Sequence, residues 1–202
     1  TGAGGTTTGV PAPPGGNGGS TDVGVTGTSL SIGVIADLAG PVPGLFQGAV
    51  AGTQAYVAKV NSEGGIFGRK LKLDVHDSQM DCGQYQAATS SVVAKDFAEV
   101  GSFSLYDGCG VSVLKTKPSF ADIHSALQNG AQSYANNFSV APLERGWRTG
   151  SLDYMKKRFG SAFSHVGTIY ASVGGGAETW QHCEAAIKHE GGAVVYKRAF
   201  GA

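Results

Sequence analysis

The stretch IGVIADLAGPVPG, residues 32–44, decides the fold of this chain. An apolar run suited to a buried strand ends at Asp37 and continues into a loop with two prolines and two glycines. Loops that follow strands in this way usually hold the ligand in α/β proteins. This loop lacks the glycine pattern that cradles a phosphate, so the question is which other ligand it encloses.

Strands and helices alternate along the rest of the chain. Apolar and alternating runs predict strands at residues 30–37, 69–77, 97–104, 117–125, 165–172 and 193–200. Helical periodicity predicts helices at residues 44–65, 81–96, 143–160 and 176–192, with a short one near 109–116. This succession predicts an α/β fold with mainly parallel sheets and helices on both faces. On the first helix, Gly44, Gly48 and Gly52 recur every four residues. We expect the helix face that carries these small residues to pack closely on the sheet.

The second helix carries its own signals. Asp81 is a candidate N-cap, and Tyr85, Ala88 and Val92 share the face that we expect to point inward.

The composition narrows the class of protein. The chain has 202 residues, 15% of them charged, and a formal net charge of zero. A chain with no net positive charge does not show the basic character that is typical of proteins that bind nucleic acid or an anionic membrane surface. Apolar runs long enough to span a bilayer are absent from the sequence. Three cysteines without a CxxC spacing do not indicate structural zinc.

Residues 1–29 have a composition of their own, almost entirely Gly, Thr, Pro, Ser and Ala. Such a segment buries too little apolar surface to offset the entropy of ordering, so we expect a flexible tether. It shows neither a basic n-region nor an apolar h-region, so we expect that any signal peptide is already removed or left out of this sequence.

Signatures of catalysis are missing. The sequence contains no GxSxG elbow and no HExxH pair, and we predict no enzyme, cofactor or metal site. Asp37 stands alone, without the acidic cluster of a phosphoacceptor, and we interpret it as a structural residue at the end of a strand. His182 and His189 could share a helix face, but solvated histidines explain this spacing better than a metal.

A family resemblance rests on the turn after the first helix. IGVIADLAGP, a helix and then VNSEGGIFGRKLKLDVHDS resemble the first lobe of the type I periplasmic substrate-binding proteins, the branched-chain amino-acid receptors of ABC transporters. The resemblance implies two Rossmann-like lobes with the ligand in the cleft between them. Residues 30–142 would form lobe one, and residues 143–202 the incomplete beginning of lobe two. Family members are longer, so we expect these 202 residues to be part of a longer chain.

The resemblance also implies which residues touch the ligand. They lie in the loops after the first, third and fourth strands and in one loop of lobe two. The predicted set is Leu38, Ala39, Gly40, Pro41, Phe46, Ser102, Phe103, Ser104, Leu105, Tyr106, His124, Ser125, Ser172 and Gly174. Unpaired backbone N–H groups at the short helix after the third strand would suit a ligand carboxylate. Asp107 is expected to be the N-cap of that helix. Phe46 is either a wall of the pocket or part of the core beneath the loop.

The resemblance further implies a disulfide between Cys82 and Cys109, because some members join these two loops. Cys183 would pair beyond residue 202 or serve as a small apolar residue.

These features together predict an extracytoplasmic solute receptor. It would bind a small molecule such as an amino acid or a related organic solute and deliver it to an ABC transporter permease. We expect a monomer held to a Gram-positive cell surface by an N-terminal lipid anchor. The alternative is a ligand-sensing domain of a receptor or regulator on the same fold.

Overall fold

The computed structural model describes residues 9–139 and 147–201. Its first part is built on a four-stranded parallel sheet with the order β2-β1-β3-β4. The strands are β1 (Ser29–Ala36), β2 (Lys70–Asp77), β3 (Ala98–Val100) and β4 (Ala121–Ile123). The helices are α1 (Gln47–Ser62), α2 (Cys82–Lys95), a 3-10 turn (Asp107–Gly110), α3 (Val111–Leu114) and α4 (Asn129–Gln132). The predicted α/β fold with a parallel sheet is confirmed.

The second part continues the alternation. It contains α5 (Gly150–Phe159), a 3-10 turn (Gly160–Ser164), β5 (Val166–Ala171), α6 (Gly175–His189) and β6 (Val194–Phe200). Strands β5 and β6 pair in parallel. The helix was expected over residues 143–160, and its first four residues lie outside the described part of the chain. The expected boundary between the lobes, at residues 142 and 143, also lies outside it.

Several elements differ in length from their predictions. Strands β3 and β4 have three residues each, whereas the sequence predicted strands over 97–104 and 117–125. Helix α1 begins at Gln47 rather than at Gly44, because Gly44 has a φ of 77° and donates its N–H to the carbonyl of Leu38 at 2.7 Å. Helix α4 was not predicted.

The main core lies between α2 and the sheet. Asp81 caps α2 and accepts a hydrogen bond from the N–H of Gln84 at 2.8 Å. Tyr85, Ala88 and Val92 are buried, as predicted from their spacing. They join Ile35, Leu114 and Phe120 in one cluster. Each large apolar side chain buried here contributes about 1.5–3 kcal/mol relative to an exposed one.

The opposite face, under α1, is packed less densely. Val50 is the buried residue of α1 among the described residues. A Cβ added to Gly48 or Gly52 would meet no atom within 4 Å. The expected close packing of the small face on the sheet is therefore wrong at these two glycines, which border open space instead.

The turn between α1 and β2 has a clear physical basis. The side chain of Asn61 donates to the carbonyl of Leu71 at 2.9 Å and accepts from its N–H at 2.7 Å. Gly65 has a φ of 81°, and a Cβ there would lie 2.0 Å from the carbonyl oxygen of Arg69. Glycine is required at this position because any larger residue would collide with the backbone.

Arg69 holds part of the N-terminal segment against lobe one. Its side chain is buried and donates to the carbonyls of Thr26 at 2.6 Å, of Gly19 at 2.8 Å and of Asn17. Residues 17–28 thus lie in hydrogen-bonded contact with the lobe, whereas their composition predicted a flexible segment. None of the helices in the described ranges is long and apolar enough to cross a membrane.

Candidate ligand-binding site

Asp37 organises the carboxyl edge of the sheet. Its side chain is fully buried and accepts hydrogen bonds from the hydroxyls of Ser78 at 2.6 Å and Ser104 at 2.8 Å. It also accepts the backbone N–H of Leu105 at 2.8 Å. The carboxylate therefore joins the loops after β1, β2 and β3, and its interpretation as a structural residue agrees with these contacts.

The loop after β1 is held in one shape. Asp77 accepts the N–H groups of Leu38 at 3.0 Å and Ala39 at 3.1 Å. Burial raises the pKa of the Asp77 carboxyl, but the N–H groups of Gln79, Leu38 and Ala39 together outweigh burial and lower its pKa. Gly40 has a φ of 103°, and a Cβ there would lie 2.4 Å from the carbonyl oxygen of Gln79.

Two aromatic side chains meet at this edge. The rings of Phe46 and Phe103 lie edge to face, with centroids 4.3 Å apart. Both side chains are partly exposed, and Phe46 also packs against the cluster of Val34, Ala36 and Val50. Phe46 therefore contributes to the core and to the surface of the loop at once.

A mostly apolar groove of about 510 Å³ opens beside this aromatic pair. Phe103 and Ser125 line it from the sheet side, whereas Gly48, Gly52 and Tyr56 line it from α1. Sequence reasoning assigned Phe103 and Ser125 to the ligand but missed the α1 residues. The signal was present in the small residues of α1, which leave room that larger side chains would fill.

Two predicted contacts lie beneath the surface instead. Ser104 is bonded to Asp37, and His124 is 1% exposed. In this conformation both side chains contact protein partners rather than line an open surface. Ser102 accepts the N–H of Ile35 at 2.7 Å and also lines the groove beside Phe103.

The short helix after β3 does not offer the expected anion site, because its N–H groups already have partners in the protein. The N–H groups of Leu105 and Tyr106 bond to the side chains of Asp37 and Ser104. The N–H of Gly108 donates to the side chain of Gln128, and the N–H of Cys109 donates to the carbonyl of Tyr106. These four N–H groups are already paired and do not form an open cradle for a carboxylate.

Asp107 also departs from its prediction. The 3-10 turn has no side-chain cap, and Asp107 accepts the N–H groups of Leu127 and Gln128 instead, the latter at 3.0 Å. The carboxylate thus fixes the loop after β4, close to Ser125.

A network of buried ionisable groups continues inward from Asp107. Burial disfavours the charged imidazole of His124, but the carboxylates of Asp107 and Asp122 outweigh it and raise its pKa to about 10. Burial, and then the charge of Asp122, raise the pKa of Glu99 to about 7.

The disulfide implied by the resemblance is present in the structure. Cys82 at the start of α2 is bonded to Cys109 in the 3-10 turn, across 27 residues of chain. The bond ties the loop after β3 to the core helix and so restrains the loop that carries Tyr106.

The second lobe reaches the same place. The N–H of Gly175 donates to the carbonyl of Leu105 at 2.7 Å, and Glu178 accepts the N–H of Asn129 at 2.7 Å. Gly174 lies against Leu105, whereas the hydroxyl of Ser172 points to the carbonyl of Phe200 within its own lobe. The structure therefore places Ser102, Phe103 and Ser125 on one groove, with Phe46 against Phe103. Tyr106 packs against the core cluster of α2, and Ser172 is bonded within its own lobe.

Comparison with known proteins gives a consistent picture. Residues 29–201 match the family model described as periplasmic binding protein. The fatty acid ABC transporter substrate-binding protein from Thermomonospora curvata superposes with a TM-score of 0.72 and 17% identity, over 95% of this chain and 49% of that one. The branched-chain amino acid transporter substrate-binding protein LivJ from Streptococcus pneumoniae, solved with isoleucine, gives a TM-score of 0.65 and 18% identity, over 86% and 50%.

A periplasmic binding protein type 1 from Bordetella pertussis gives a TM-score of 0.68 and 20% identity, over 86% of this chain and 49% of that one. At these identities the likeness establishes the fold. The chain spans about half the length of the solved structures that it matches. No curated protein sequence matches it.

Proposed function

Because this chain belongs to the periplasmic binding protein family, whose model matches residues 29–201, we propose that it is an extracytoplasmic solute receptor. It binds a small organic molecule between its two lobes and delivers it to the permease of an ABC transporter. The family is one of binding proteins, and the receptor carries no catalytic step.

One observation carries this proposal. Leu105 is bonded to both lobes, through its N–H to Asp37 and through its carbonyl to Gly175. The loop after β3 therefore couples the positions of the two lobes. A ligand that contacts both lobes there shifts the population toward the closed form, which the permease recognises.

The side chains at this place favour a ligand with an apolar part. Phe46 and Phe103 present aromatic surface, and the groove beside them is mostly apolar. Ser125 supplies a hydroxyl group on the same groove. An amino acid or related organic solute with an apolar side chain fits this mixture, because apolar contact supplies affinity and a few polar groups fix orientation.

The same role accounts for the location. The disulfide between Cys82 and Cys109 suits an oxidising compartment outside the cytoplasm. A lipid anchor on the N-terminal side of the segment that Arg69 holds attaches the receptor to a Gram-positive cell surface, and the receptor works as a monomer with one cleft per chain.

A ligand screen tests the proposal. The full chain is heated with amino acids, their amides and aromatic or aliphatic acids, and we expect one class to raise Tm by several degrees. Phe103→Ala should weaken binding of that ligand about tenfold or more, since it removes aromatic surface from the cleft.

Phe159→Ala is the matched control, because Phe159 is an exposed phenylalanine on α5. It should leave the affinity unchanged. If no small molecule shifts Tm, or if both variants bind equally well, the proposed cleft is wrong.

A further inference from the structure

Three ionisable side chains meet at the outer edge of the sheet in lobe one. Asp74 and His76 are two residues apart on the edge strand β2, so their side chains point to the same face. Asp96 directly follows the last residue of α2. One potential ligand atom from each of these side chains lies within 4.8 Å of the others.

The packing of α2 on the sheet brings Asp96 to this place. Asp74 is the register partner of Gly33 on β1, and a Cβ at Gly33 would lie 2.5 Å from a methyl carbon of Val92. The absence of a side chain at Gly33 therefore lets α2 approach the sheet closely. The N–H of Asp96 donates to the carbonyl of Val92 at 2.8 Å. This contact holds Asp96 one helical turn further along, beside Asp74 and His76.

The buried carboxylate of Asp96 has one oxygen without a partner. The residue is 2% exposed, and its Oδ1 accepts a hydrogen bond from the hydroxyl of Ser31. Within the described residues, Asp96 Oδ2 has no hydrogen-bond partner. Because buried polar atoms are normally paired, an open carboxylate oxygen beside two further potential ligand atoms indicates a binding site for a cation.

The charges of the group also favour a cation. Burial raises the pKa of Asp96, the Ser31 hydroxyl lowers it, and the charge of Asp74 raises it further, so that the net shift is upward. Lys95, which is exposed, has the weakest effect on this pKa. The protein thus compensates the negative charge of Asp96 poorly, and a divalent cation would compensate it.

The distances need only a small adjustment to hold an ion. His76 Nε2 and Asp74 Oδ2 form a hydrogen bond of 3.0 Å, and a metal ion would take the place of its proton. Two ligands at about 2.1 Å from a tetrahedral zinc ion lie roughly 3.4 Å apart. Both side chains are partly exposed, 21% for His76 and 39% for Asp74, so they can move apart and a water molecule can complete the coordination.

We propose that Asp74, His76 and Asp96 bind one divalent cation of the zinc class at the edge of lobe one. One imidazole nitrogen with two carboxylate oxygens suits zinc better than calcium or magnesium, which prefer oxygen ligands. The ion joins the edge strand β2 to the end of α2. Asp77 follows His76 directly and holds the loop after β1, so the ion also stabilises the ligand-binding edge. Zinc binding at this site does not depend on which solute the cleft holds.

The test uses the full chain, prepared without a metal-affinity tag, stripped with a chelator and titrated with zinc chloride. We expect one zinc per chain in calorimetry and a higher Tm with zinc than without it. His76→Gln removes the imidazole ligand and should weaken zinc binding about tenfold or more, because loss of a residue that merely supports a ligand already costs about 10–100-fold.

His189→Gln is the matched control. His189 is paired with the carboxylate of Glu190 at 3.0 Å, the same distance as between His76 and Asp74. In the described part of the chain, no third candidate ligand joins His189 and Glu190. The control variant should therefore bind zinc as tightly as the parent chain.

X-ray absorption at the zinc edge, on the unmodified chain loaded with one equivalent of zinc, decides the matter even if His76→Gln does not fold. We expect nitrogen and oxygen ligands at about 2.0–2.2 Å, with one imidazole among them. A chain that binds no zinc overturns the proposal, and so does zinc held by two or more imidazoles. Zinc binding that His76→Gln leaves unchanged, or that His189→Gln weakens equally, overturns it as well.

Discussion

The backbone N–H of Gly175 donates a hydrogen bond of 2.7 Å to the carbonyl oxygen of Leu105. Gly174, the residue before it, has a φ of 50°, and a Cβ there would lie 2.2 Å from the same carbonyl oxygen. The contact between the loops after β3 and β5 therefore depends on the absence of a side chain at Gly174.

Gly174→Ala should break this contact. The methyl group would collide with the Leu105 carbonyl, and the backbone angles of Gly174, φ 50° and ψ −140°, would cost about 1 kcal/mol or more for a residue with a side chain. We expect hydrogen exchange at the Gly175 amide to become about tenfold faster or more.

Gly191→Ala is matched to this change. Gly191 has a φ of 82°, but a Cβ there would meet no atom within 4 Å. Gly191→Ala also places a side chain on a residue with positive φ, but it causes no collision. The Gly175 amide should therefore keep its slow exchange. Equal acceleration in both variants would show that the close approach to Leu105 is unimportant.

The carboxylate of Asp77 stabilises the loop after β1, and this stabilisation depends on pH. Its pKa is lower in the folded chain than the ordinary value of 3.8, since three backbone N–H groups favour the carboxylate. Its stabilisation is therefore fully present above pH 3.8 and is lost as the pH falls through the folded-state pKa.

Asp77→Asn cannot titrate, so the difference in free energy of unfolding between it and the parent chain should shrink below about pH 4. Urea denaturation across pH 2.5–7, in steps of about half a unit, measures this difference. Parallel stability curves for the two proteins would contradict the assigned role.

The disulfide between Cys82 and Cys109 stabilises lobe one. It closes a loop across 27 residues, and the chain-entropy relation gives about 3.5 kcal/mol for a loop of this length. Replacing both cysteines by serine should lower the free energy of unfolding by about that amount in chemical denaturation.

Cys183→Ser keeps this disulfide and serves as the control, with an expected change of less than about 1 kcal/mol. If the control loses as much stability as the double variant, the effect does not arise from closing the loop.

Arg69 anchors residues 17–28. Its buried guanidinium donates to three backbone carbonyls, which a smaller or differently shaped side chain cannot reach together. Arg69→Lys should release the segment and make it open to limited proteolysis. Lys72→Ala, an exposed change on β2 just after Arg69, should leave the cleavage pattern unaltered. Equal cleavage of both variants would argue against the anchor.

Much of the fold and part of the site could be read from local pattern. The buried run of β1, the cap at Asp81 and the inward face of α2 follow from periodicity and capping, which act over a few residues. Phe103 and Ser125 were assigned to the ligand by the family resemblance, and both line the groove at the carboxyl edge. Pattern did not reveal that Ser104 and His124 turn inward, because the direction of a side chain in a loop depends on distant partners such as Asp37 and Asp122.

The sequence alone determined that this chain is an α/β protein with a parallel sheet and a Gly-Gly turn before β2, because burial periodicity and the need for a positive φ are local properties. Tertiary structure decided which polar groups remain available to a ligand. It placed Arg69 over residues 17–28, left space beside Gly48 and Gly52, and collected Glu99, Asp122 and His124 at one point. These outcomes depend on residues far apart in the chain, whose contacts form only when the strands pair and their loops converge.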